Sequence, residues 1–311
     1  MARVTVAINV YNGMPYLPSA LESILNQTFR DFEVLVVNDG STDDSRNYLE
    51  SVDDPRLRII DQPNRGASAA SNTAIANCNT EFLARMDSDD IAMPDRIESQ
   101  LRFLDSNPEV GLVGAQTANM GTRTVSRSIK LPCGHEEIWK GLNSGFHSMA
   151  HPTLMMRTEL IKKAGGYWKH RLADDDIDMM LRMGEITRLG NIDKVLLHYR
   201  LRQDSLCGLD MRGIRFSAEY AIELGARRRS GLPKISPEEF ETLQKLRPWL
   251  SRTLSSLDTH ALKQYRIANE ELFGDRPLIG RARLCWSAVC SPERTVRRIG
   301  RILRSADLSS V

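Results

Sequence analysis

Two acidic residues that could bind a metal, Asp87 and Asp89, directly follow an apolar segment typical of a strand. On an extended backbone, residues i and i+2 project to the same side, so these two carboxylates could face one cation while Asp90 points elsewhere. Carboxylate oxygens suit Mg²⁺ or Mn²⁺, and such ions complete their shells with waters and substrate phosphates. A diphosphate is therefore the expected co-ligand. Taken alone, the same acids could also form a solvated turn that caps a helix near Pro94.

A second acidic group, Asp174-Asp175-Asp176-Ile177-Asp178, opens a segment that we predict to be a helix ending near Met183. The helix dipole and capping explain one or two acids in a first turn. Four acids in five residues exceed that need. Crowded carboxylates raise the proton affinity of at least one member, which is what a general base requires. We therefore expect one of them to accept a hydroxyl proton.

Three further polar clusters each follow a predicted strand: Tyr11-Asn12, Asn38-Asp39-Gly40-Ser41 and Asn64-Arg65-Gly66. In an open parallel sheet, ligands bind beyond the carboxyl ends of the strands. Taken singly, Asp39 is ordinary turn chemistry, and Arg65 is either a surface charge or a phosphate ligand. Their joint placement with residues 87–90 predicts one ligand-binding edge.

The elements that must position these residues alternate between strand and helix patterns. Predicted strands cover Val4–Val10, Glu33–Val37, Leu57–Ile60, Phe82–Met86, Gly111–Ala115, Thr153–Met156 and Val195–Tyr199. Predicted helices cover Pro15–Gln27, a segment ending at Leu49, Ala67–Ala76, a segment opened by Pro94 and Asp175–Met183. Such alternation indicates an α/β fold with parallel strand pairing.

Past Cys207 the strand patterns stop, and the rest is rich in arginine and helix-forming residues. A chain of 311 residues is long for one core. We therefore predict a catalytic domain over residues 1–207 and a helical C-terminal region over residues 208–311.

The composition excludes several classes of protein. Forty-two Lys and Arg against 40 Asp and Glu give a net charge of +2, too small to indicate nucleic acid as a partner. The five scattered cysteines form no CxxC pair and fit reduced thiols. The N-terminus lacks a signal-peptide pattern, and no apolar run reaches the roughly 18 residues of a membrane span. These features predict a cytoplasmic protein.

The motifs together resemble the family 2 glycosyltransferases of bacterial polysaccharide synthesis. The resemblance covers roughly the first two thirds of the chain. Its motifs are Thr5 to Asn12, Leu25 to Phe29, Val36 to Asp43, Asn64-Arg65-Gly66, Asn72, Ala84 to Asp90, His151-Pro152-Thr153, Gly165-Gly166-Tyr167, Asp175 to Asp178 and Tyr199-Arg200.

The resemblance implies a GT-A type fold, a Rossmann-like open and mainly parallel sheet with helices on both faces. It implies that Asp39 contacts the nucleoside base, that Asp87 and Asp89 hold Mn²⁺ or Mg²⁺, and that Asp176 is the catalytic base, with Asp175 as the next candidate. The residues expected to bind the donor are Tyr11, Asn12, Asp39, Arg65, Asn72, Arg85 and Asp87.

Four positions depart from the pattern of the family. Asn9 stands where many relatives have Pro, Ser71 where many have Arg, Asp175 where Glu is usual, and Arg202 where a His often follows Tyr-Arg. The last departure leaves any histidine contribution to metal or phosphate binding open. The Gln-x-x-Arg-Trp signature of processive, membrane-embedded relatives is absent from the sequence, which favours transfer of a single sugar.

The expected reaction is inverting, metal-dependent transfer of a sugar from a nucleotide-diphosphate sugar, a UDP-sugar, to a hydroxyl on a saccharide or lipid-linked acceptor. A nucleotidyltransferase is the first alternative, although Tyr11 to Pro15 is not its Gly-rich phosphate loop. A non-catalytic sugar-nucleotide-binding scaffold is the second. His147 and His151 could contact the acceptor, but core or surface roles are the more frequent ones for histidine.

Residues 276–304 combine eight arginines with a single acid, Glu293, and with interleaved apolar residues. A basic amphipathic stretch can lie on an anionic membrane, which would place the protein on the inner face of the plasma membrane. The alternative is the solvated face of a helix packed on the rest of the protein. The sequence leaves both interpretations open.

Overall fold

The computed structural model describes residues 2–121, 125–127, 130–168, 176–201, 211–246, 248–273, 277–292 and 295. The chain forms two compact units. The first unit comprises Met1–Ala118 and Leu131–Arg200, and the second comprises Asn119–Lys130 and Leu201–Val311.

The first unit begins with a parallel arrangement of strands linked by helices. Its elements are β1 (Val4–Val10), α1 (Leu17–Leu25), β2 (Phe32–Asn38), α2 (Ser45–Ser51), β3 (Leu57–Asp61), α3 (Ala67–Asn77) and β4 (Phe82–Asp87). Strand β1 pairs in parallel with both β2 and β4, and β2 pairs in parallel with β3. The near-continuous apolar runs of β1 and β2 are buried, as expected for strands covered on both faces. Parallel pairing is confirmed here.

The later elements of the first unit build the other half of the sheet. They are β5 (Ile91–Ala92), α4 (Arg96–Ser106), β6 (Val110–Met120), α5 (His135–Asn143), a 3-10 helix (His151–Thr153), β8 (Met155–Arg157), α6 (Thr158–Ala164), α7 (Asp176–Gly184) and β9 (Arg188–Arg200). The strand order is β3-β2-β1-β4-β8-β6-β9-β5. Strand β8 runs antiparallel to β4 and β6, and β5 runs antiparallel to β9. The predicted mainly parallel sheet is thus confirmed, and its antiparallel pairs involve β8 and β5, where alternation along the chain does not fix strand direction.

Several boundaries also differ from the sequence-based expectations. Strand β9 is much longer than the predicted Val195–Tyr199, and Thr153 belongs to the 3-10 helix instead of a strand. Helix α5 was not predicted, although Ile138 and Leu142, four residues apart, form its buried face. Because the helix is short and follows Pro132 and Gly134, the turn signals obscured its periodicity.

The second unit consists of the strand β7 (Val125–Arg127) and four long or medium helices among its described residues: α8 (Met211–Arg229), α9 (Pro237–Lys245), α10 (Trp249–Phe273) and α11 (Pro277–Cys290). Helix α9 begins with a capping box in which Ser236 and Glu239 satisfy each other's backbone N–H groups. Helices α10 and α11 pack along each other. None of the helices in the described part of the chain is long and apolar enough to cross a bilayer.

Candidate active site

Asp39 organises the loop that opens helix α3. Its carboxylate is buried, and Oδ1 accepts hydrogen bonds from Gln62 Nε2 (2.6 Å) and from the Arg65 backbone N–H (3.0 Å). Oδ2 accepts the Gly66 N–H (2.8 Å). The structure therefore gives Asp39 a role in holding the loop after β3 against the loop after β2. Contact with a nucleoside base stays a prediction.

Asn12 ties the loop after β1 to the loop after β2. Its Oδ1 accepts hydrogen bonds from the backbone N–H groups of Thr42 (2.8 Å) and Asp43 (3.3 Å), and its own N–H donates to Ser41 Oγ (3.0 Å). Asn12 has a φ of 51°, in the left-handed region that asparagine tolerates. The adjacent Tyr11 is 52% exposed, so its ring is accessible to a ligand.

Asn72 and Arg65 differ in what their side chains contact. The Asn72 carboxamide accepts the Tyr167 N–H (2.8 Å) and donates to the Tyr167 carbonyl (2.7 Å). A Cβ on the neighbouring Gly166 would collide with the Asn72 oxygen, which explains the glycine there. Asn72 thus fixes the segment after α6 against α3. Arg65, in contrast, is exposed.

Arg85 and Asp87 form a bidentate ion pair at the end of β4. The two Nη atoms of Arg85 lie 2.9 and 2.5 Å from the two carboxylate oxygens of Asp87. The Arg85 side chain is nearly buried, whereas that of Asp87 is 33% exposed. The guanidinium therefore orients a carboxylate that remains accessible. Each carboxylate oxygen has two lone pairs, so the ion pair leaves capacity for a further ligand.

Asp90 lies beneath the exposed acids and is fully buried. Its Oδ1 accepts the Arg200 N–H (2.8 Å), and Arg200 Nε donates to the Asp89 carbonyl (2.7 Å). The Arg200 guanidinium also stacks 4.3 Å over the Tyr16 ring. The end of β9 is thus fastened to the loop that carries Asp87 and Asp89. Burial raises the pKa of Asp90 well above its usual range, and the charges of Asp87 and Asp89 raise it further.

Arg96, in the first turn of α4, is a buried cation below this loop. Its Nη2 donates to the Arg85 carbonyl (2.5 Å), and Nε donates to Gln100 (3.1 Å). Burial lowers the pKa of Arg96 to about 10, and the charge of Asp90 opposes that effect. The loop after β4 therefore rests on a buried polar network, which restricts how far its carboxylates can move.

Asp176 begins helix α7 and is the only member of the catalytic pair in the described part of the chain, because Asp175 lies outside it. The Asp176 side chain is 17% exposed, and its Oδ2 lies 3.9 Å from Nδ1 of His147. Asp178, two residues further along the helix, is buried and forms an ion pair with Arg182 at 2.7 Å. Arg182 also donates to the carbonyls of Ala164 and Gly166. The structure thus separates an accessible carboxylate from a structural one.

His151 contacts Tyr167 beside the cavity that Arg85 lines. Its Nε2 lies 2.7 Å from the hydroxyl of Tyr167, the residue that Asn72 holds. Burial lowers the pKa of His151 well below its usual range, and the charges of Arg85 and His147 lower it further. Tyr167 and Arg85 line one small cavity, which places the partner of His151 next to the Arg85–Asp87 ion pair. Arg202, the remaining candidate, lies outside the described residues.

Asp87 and Asp89 fit a divalent cation that a bound nucleotide helps to hold. Both side chains are partly exposed oxygen donors, the type that Mg²⁺ and Mn²⁺ prefer. Among the residues that the structure describes, no three His, Cys, Asp or Glu side chains group closely enough to hold a metal by themselves. Such a pair leaves coordination positions for waters and phosphates, as magnesium sites with substrate phosphates do.

The two departures Asn9 and Ser71 contact each other. Nδ2 of Asn9, on β1, donates to Oγ of Ser71, on α3, at 2.7 Å. Both residues line a small cavity next to Arg85 and Tyr167. The side chains that differ from the family pattern therefore form one local polar contact close to the expected donor-binding edge.

Residues 5–165, just over half of the chain, match the family model described as Glycosyl transferase family 2. The chain belongs to glycosyl transferase family 2. The O-antigen biosynthesis glycosyltransferase WbnJ of Escherichia coli is 32% identical over 214 residues, which cover 66% of this chain and 81% of that protein. Three other curated members are much longer, and the chain spans 25%, 18% and 28% of their length.

Two solved structures have a similar fold. The crystal structure of S. aureus TarS 1-349 in complex with UDP-GlcNAc has a TM-score of 0.63 at 17% identity, over 96% of this chain and 92% of that chain. The mannosyltransferase PcManGT from Pyrobaculum calidifontis, in complex with GDP-Man and Mn²⁺, has a TM-score of 0.54 at 18% identity, over 99% and 81%. These likenesses confirm the predicted GT-A type fold of this family 2 chain.

Sequence reasoning assigned no role to Arg96 or Arg200. Arg96 stands in a charged helix segment and resembles a surface residue, so nothing in the sequence indicates its burial. Arg200 carried a signal, because Tyr199-Arg200 belongs to the family 2 motif set, but the motif alone does not reveal that it binds the loop after β4.

Proposed function

We propose that this family 2 chain transfers a single sugar from a nucleotide-diphosphate sugar to a hydroxyl acceptor in the synthesis of a cell-surface polysaccharide or glycolipid. The observation that carries the proposal is the presence of two kinds of accessible carboxylate in one unit: Asp87, which Arg85 orients at the end of β4, and Asp176, which lies next to His147 at the start of α7. Asp87 suits the binding of a metal ion that holds the diphosphate, and Asp176 suits the acceptance of a proton.

On the acceptor side, Asp176 is the proposed base. The acceptor hydroxyl loses its proton to the Asp176 carboxylate while its oxygen forms the bond to the anomeric carbon. The bond from that carbon to the diphosphate oxygen breaks, and the diphosphate leaves with the electron pair. Attack from the face opposite the leaving group inverts the configuration. General-base catalysis of this kind contributes roughly 10²- to 10⁴-fold.

On the donor side, Asp87 and Asp89 are the proposed ligands of Mn²⁺ or Mg²⁺. Such an ion, when bound, neutralises charge on a leaving diphosphate, an effect worth several kcal/mol in order of magnitude. Arg85 fixes the orientation of Asp87, and Arg200 fixes the backbone at Asp89. The exposed Arg65 is the proposed ligand of a phosphate, and the exposed Tyr11 is proposed to stack on the base.

Uridine diphosphate is the nucleotide we propose, because the family resemblance and the UDP-GlcNAc bound by TarS both favour it over the GDP-Man bound by PcManGT. A panel of UDP- and GDP-sugars tests the choice by mass spectrometry of donor consumption. Preference for a GDP-sugar would refute the nucleotide assignment without touching the transfer reaction.

The decisive experiment measures nucleotide release and glycosylated product together, with Mn²⁺, with Mg²⁺ and with excess EDTA. Release and product that depend on both metal and acceptor are the expected result. Tight binding of the nucleotide sugar without any turnover across the panel would favour a non-catalytic sugar-nucleotide-binding scaffold.

A further inference from the structure

Helix α11 of the second unit packs against α10 through a face of small and polar residues. Ser287 Oγ donates to the Ala261 carbonyl (2.7 Å), and Ser291 Oγ, just past the helix, donates to Asp258 (2.7 Å). A Cβ on Gly280 would lie 2.8 Å from the Ala268 carbonyl, so the two backbones approach closely there. Residues 280, 287 and 291 share one side of a helix of 3.6 residues per turn.

The opposite side of α11 is apolar and exposed. The outward residues follow the spacing i, i+4, i+7, i+8 and i+11, and they are Leu278, Ala282, Cys285, Trp286 and Val289. Leu278 is 77% exposed, Trp286 54% and Val289 68%. Ile279, also exposed, lies at the edge of this face. A surface helix normally turns its polar side to water and its apolar side to the core. Helix α11 does the reverse.

The charged residues of α11, and most of those in the sequence after it, are basic. Arg281 is exposed at its edge, whereas the charge of Arg283 is paired with Glu271 (2.9 Å). The sequence that follows the helix, residues 291–311, holds five arginines, at 294, 297, 298, 301 and 304, against Glu293 and Asp307. The indole N–H of Trp286 donates to His260 (3.2 Å), which holds the ring at the surface.

We infer that the outer face of α11 is a membrane-docking surface that lies in the interface of an anionic bilayer. Exposed leucine, valine and tryptophan side chains insert between headgroups and acyl chains, and Arg281 at the edge of the face binds anionic lipid phosphates, with further arginines available in the sequence that follows. A second copy of the chain fits less well, because a symmetric contact would bring two arginine-rich segments together. Complementary charge selects the lipid surface.

Vesicle flotation of the full-length protein tests this inference. The vesicles contain phosphatidylcholine alone or phosphatidylcholine with phosphatidylglycerol. Wild type should float with the anionic vesicles and poorly with the neutral ones. Leu278→Glu should weaken partitioning about tenfold or more, because burial of one leucine side chain changes a partition coefficient by about that factor.

Leu246→Glu is the matched control, because Leu246 is 76% exposed in the same unit but lies outside α11. It should change partitioning by less than about twofold. Thermal unfolding of both variants verifies that the fold is kept. The tryptophan emission of wild type should shift to the blue with anionic vesicles, and Trp286→Phe should lose most of that shift.

Three results would overturn the inference. The first is equal flotation with neutral and anionic vesicles, or none with either. The second is an equal loss in Leu246→Glu and Leu278→Glu. The third is self-association in the absence of lipid that Leu278→Glu abolishes, which would identify the outer face of α11 as a contact between copies of the chain.

Discussion

The acidic loop after β4 and the acidic start of α7 each combine accessible carboxylates with a buried one that is held by an arginine. In the loop, Asp87 is accessible while Asp90 is buried and accepts the backbone N–H of Arg200. In the helix, Asp176 is accessible while Asp178 is buried and paired with Arg182. Neighbouring acids of the same type therefore differ in exposure and in the group that holds them.

The two buried acids also differ in how they are stabilised. Asp178 has a direct ion pair, which compensates its charge. Asp90 accepts a backbone N–H, and no ion pair within 4.0 Å joins it to a cation in the described part of the chain, so desolvation dominates and its pKa rises. The loop after β4 thus contains a carboxyl group that is biased toward the neutral form, whereas the start of α7 contains a compensated one.

Loss of an accessible acid from the loop should have the largest effect. Asp89→Ala is expected to lower transfer by about a thousandfold, because the metal ion that binds the diphosphate loses one of its protein ligands. Donor binding with Mn²⁺, measured by titration calorimetry, should weaken in parallel, and EDTA should reproduce the effect in wild type. Asp53→Ala, an exposed acid elsewhere in the first unit, is the control and should retain full activity. Full activity of wild type in excess chelator would refute the metal assignment.

Loss of Asp176, the accessible acid of helix α7, should have the second largest effect on transfer. Asp176→Asn keeps the size of the side chain and removes its ability to take a proton, so transfer should fall by about 100-fold or more. The variant should still fold and bind UDP with Mn²⁺, which separates it from Asp89→Ala. Retention of half the transfer rate would show that the base lies elsewhere, and Asp175→Asn is then the next variant to measure.

Most of the parallel half of the sheet was predictable because buried strands and amphipathic helices leave direct patterns in the sequence. Strand β1 was predicted with its observed ends, Val4–Val10, and Ala67–Ala76 falls one residue short of α3. The antiparallel half was not predictable, because β8 inserts between β4 and β6 by a long-range pairing that no local pattern records. The roles of Arg96 and Arg200 depend on tertiary contacts with the Arg85 carbonyl and with Asp89 and Asp90, which no local pattern records either.

At the site, the sequence revealed which acids are present but not which of them are accessible and which are buried. Asp174 and Asp175 lie outside the described residues, so their part of the prediction stays a prediction. For Asp90, the deciding contact joins residues far apart in sequence, because its partner is the backbone N–H of Arg200, whereas the partners of Asp87 and Asp178 lie two and four residues away. The Asn9–Ser71 contact is similar, since two separate departures from the family pattern become one feature only in the fold.

The structural acid of the helix should affect stability more than chemistry. Asp178→Asn leaves the Arg182 guanidinium without its carboxylate in a buried position, which should lower the free energy of unfolding by about 3 kcal/mol. Transfer per folded molecule should stay near that of wild type at low temperature. The double variant Asp178→Asn with Arg182→Gln should lose less stability than the sum of the single variants. A strict sum would indicate that the two side chains act independently.

The smallest expected effect concerns His151, the histidine that contacts the Tyr167 hydroxyl. Because burial lowers the pKa of His151 below its value in the unfolded chain, the unfolded state binds more protons between those two values. The stabilisation from this shift is therefore complete above the unfolded pKa of about 6.5. It falls as pH decreases below that value, by at most about 1.4 kcal/mol per pH unit.

His151→Gln keeps a polar contact for the Tyr167 hydroxyl but does not titrate, so its free energy of unfolding should depend less steeply on pH below about 6.5. Tyr167→Phe removes the hydrogen bond and keeps the imidazole, so it should lose stability at every pH while retaining the wild-type slope. Chemical denaturation of the three proteins at a series of pH values below 6.5 measures these slopes. If the free energy of unfolding depends equally on pH in wild type and His151→Gln, other groups control the acid sensitivity of the fold, among them the acids of the loop after β4 and of the start of α7.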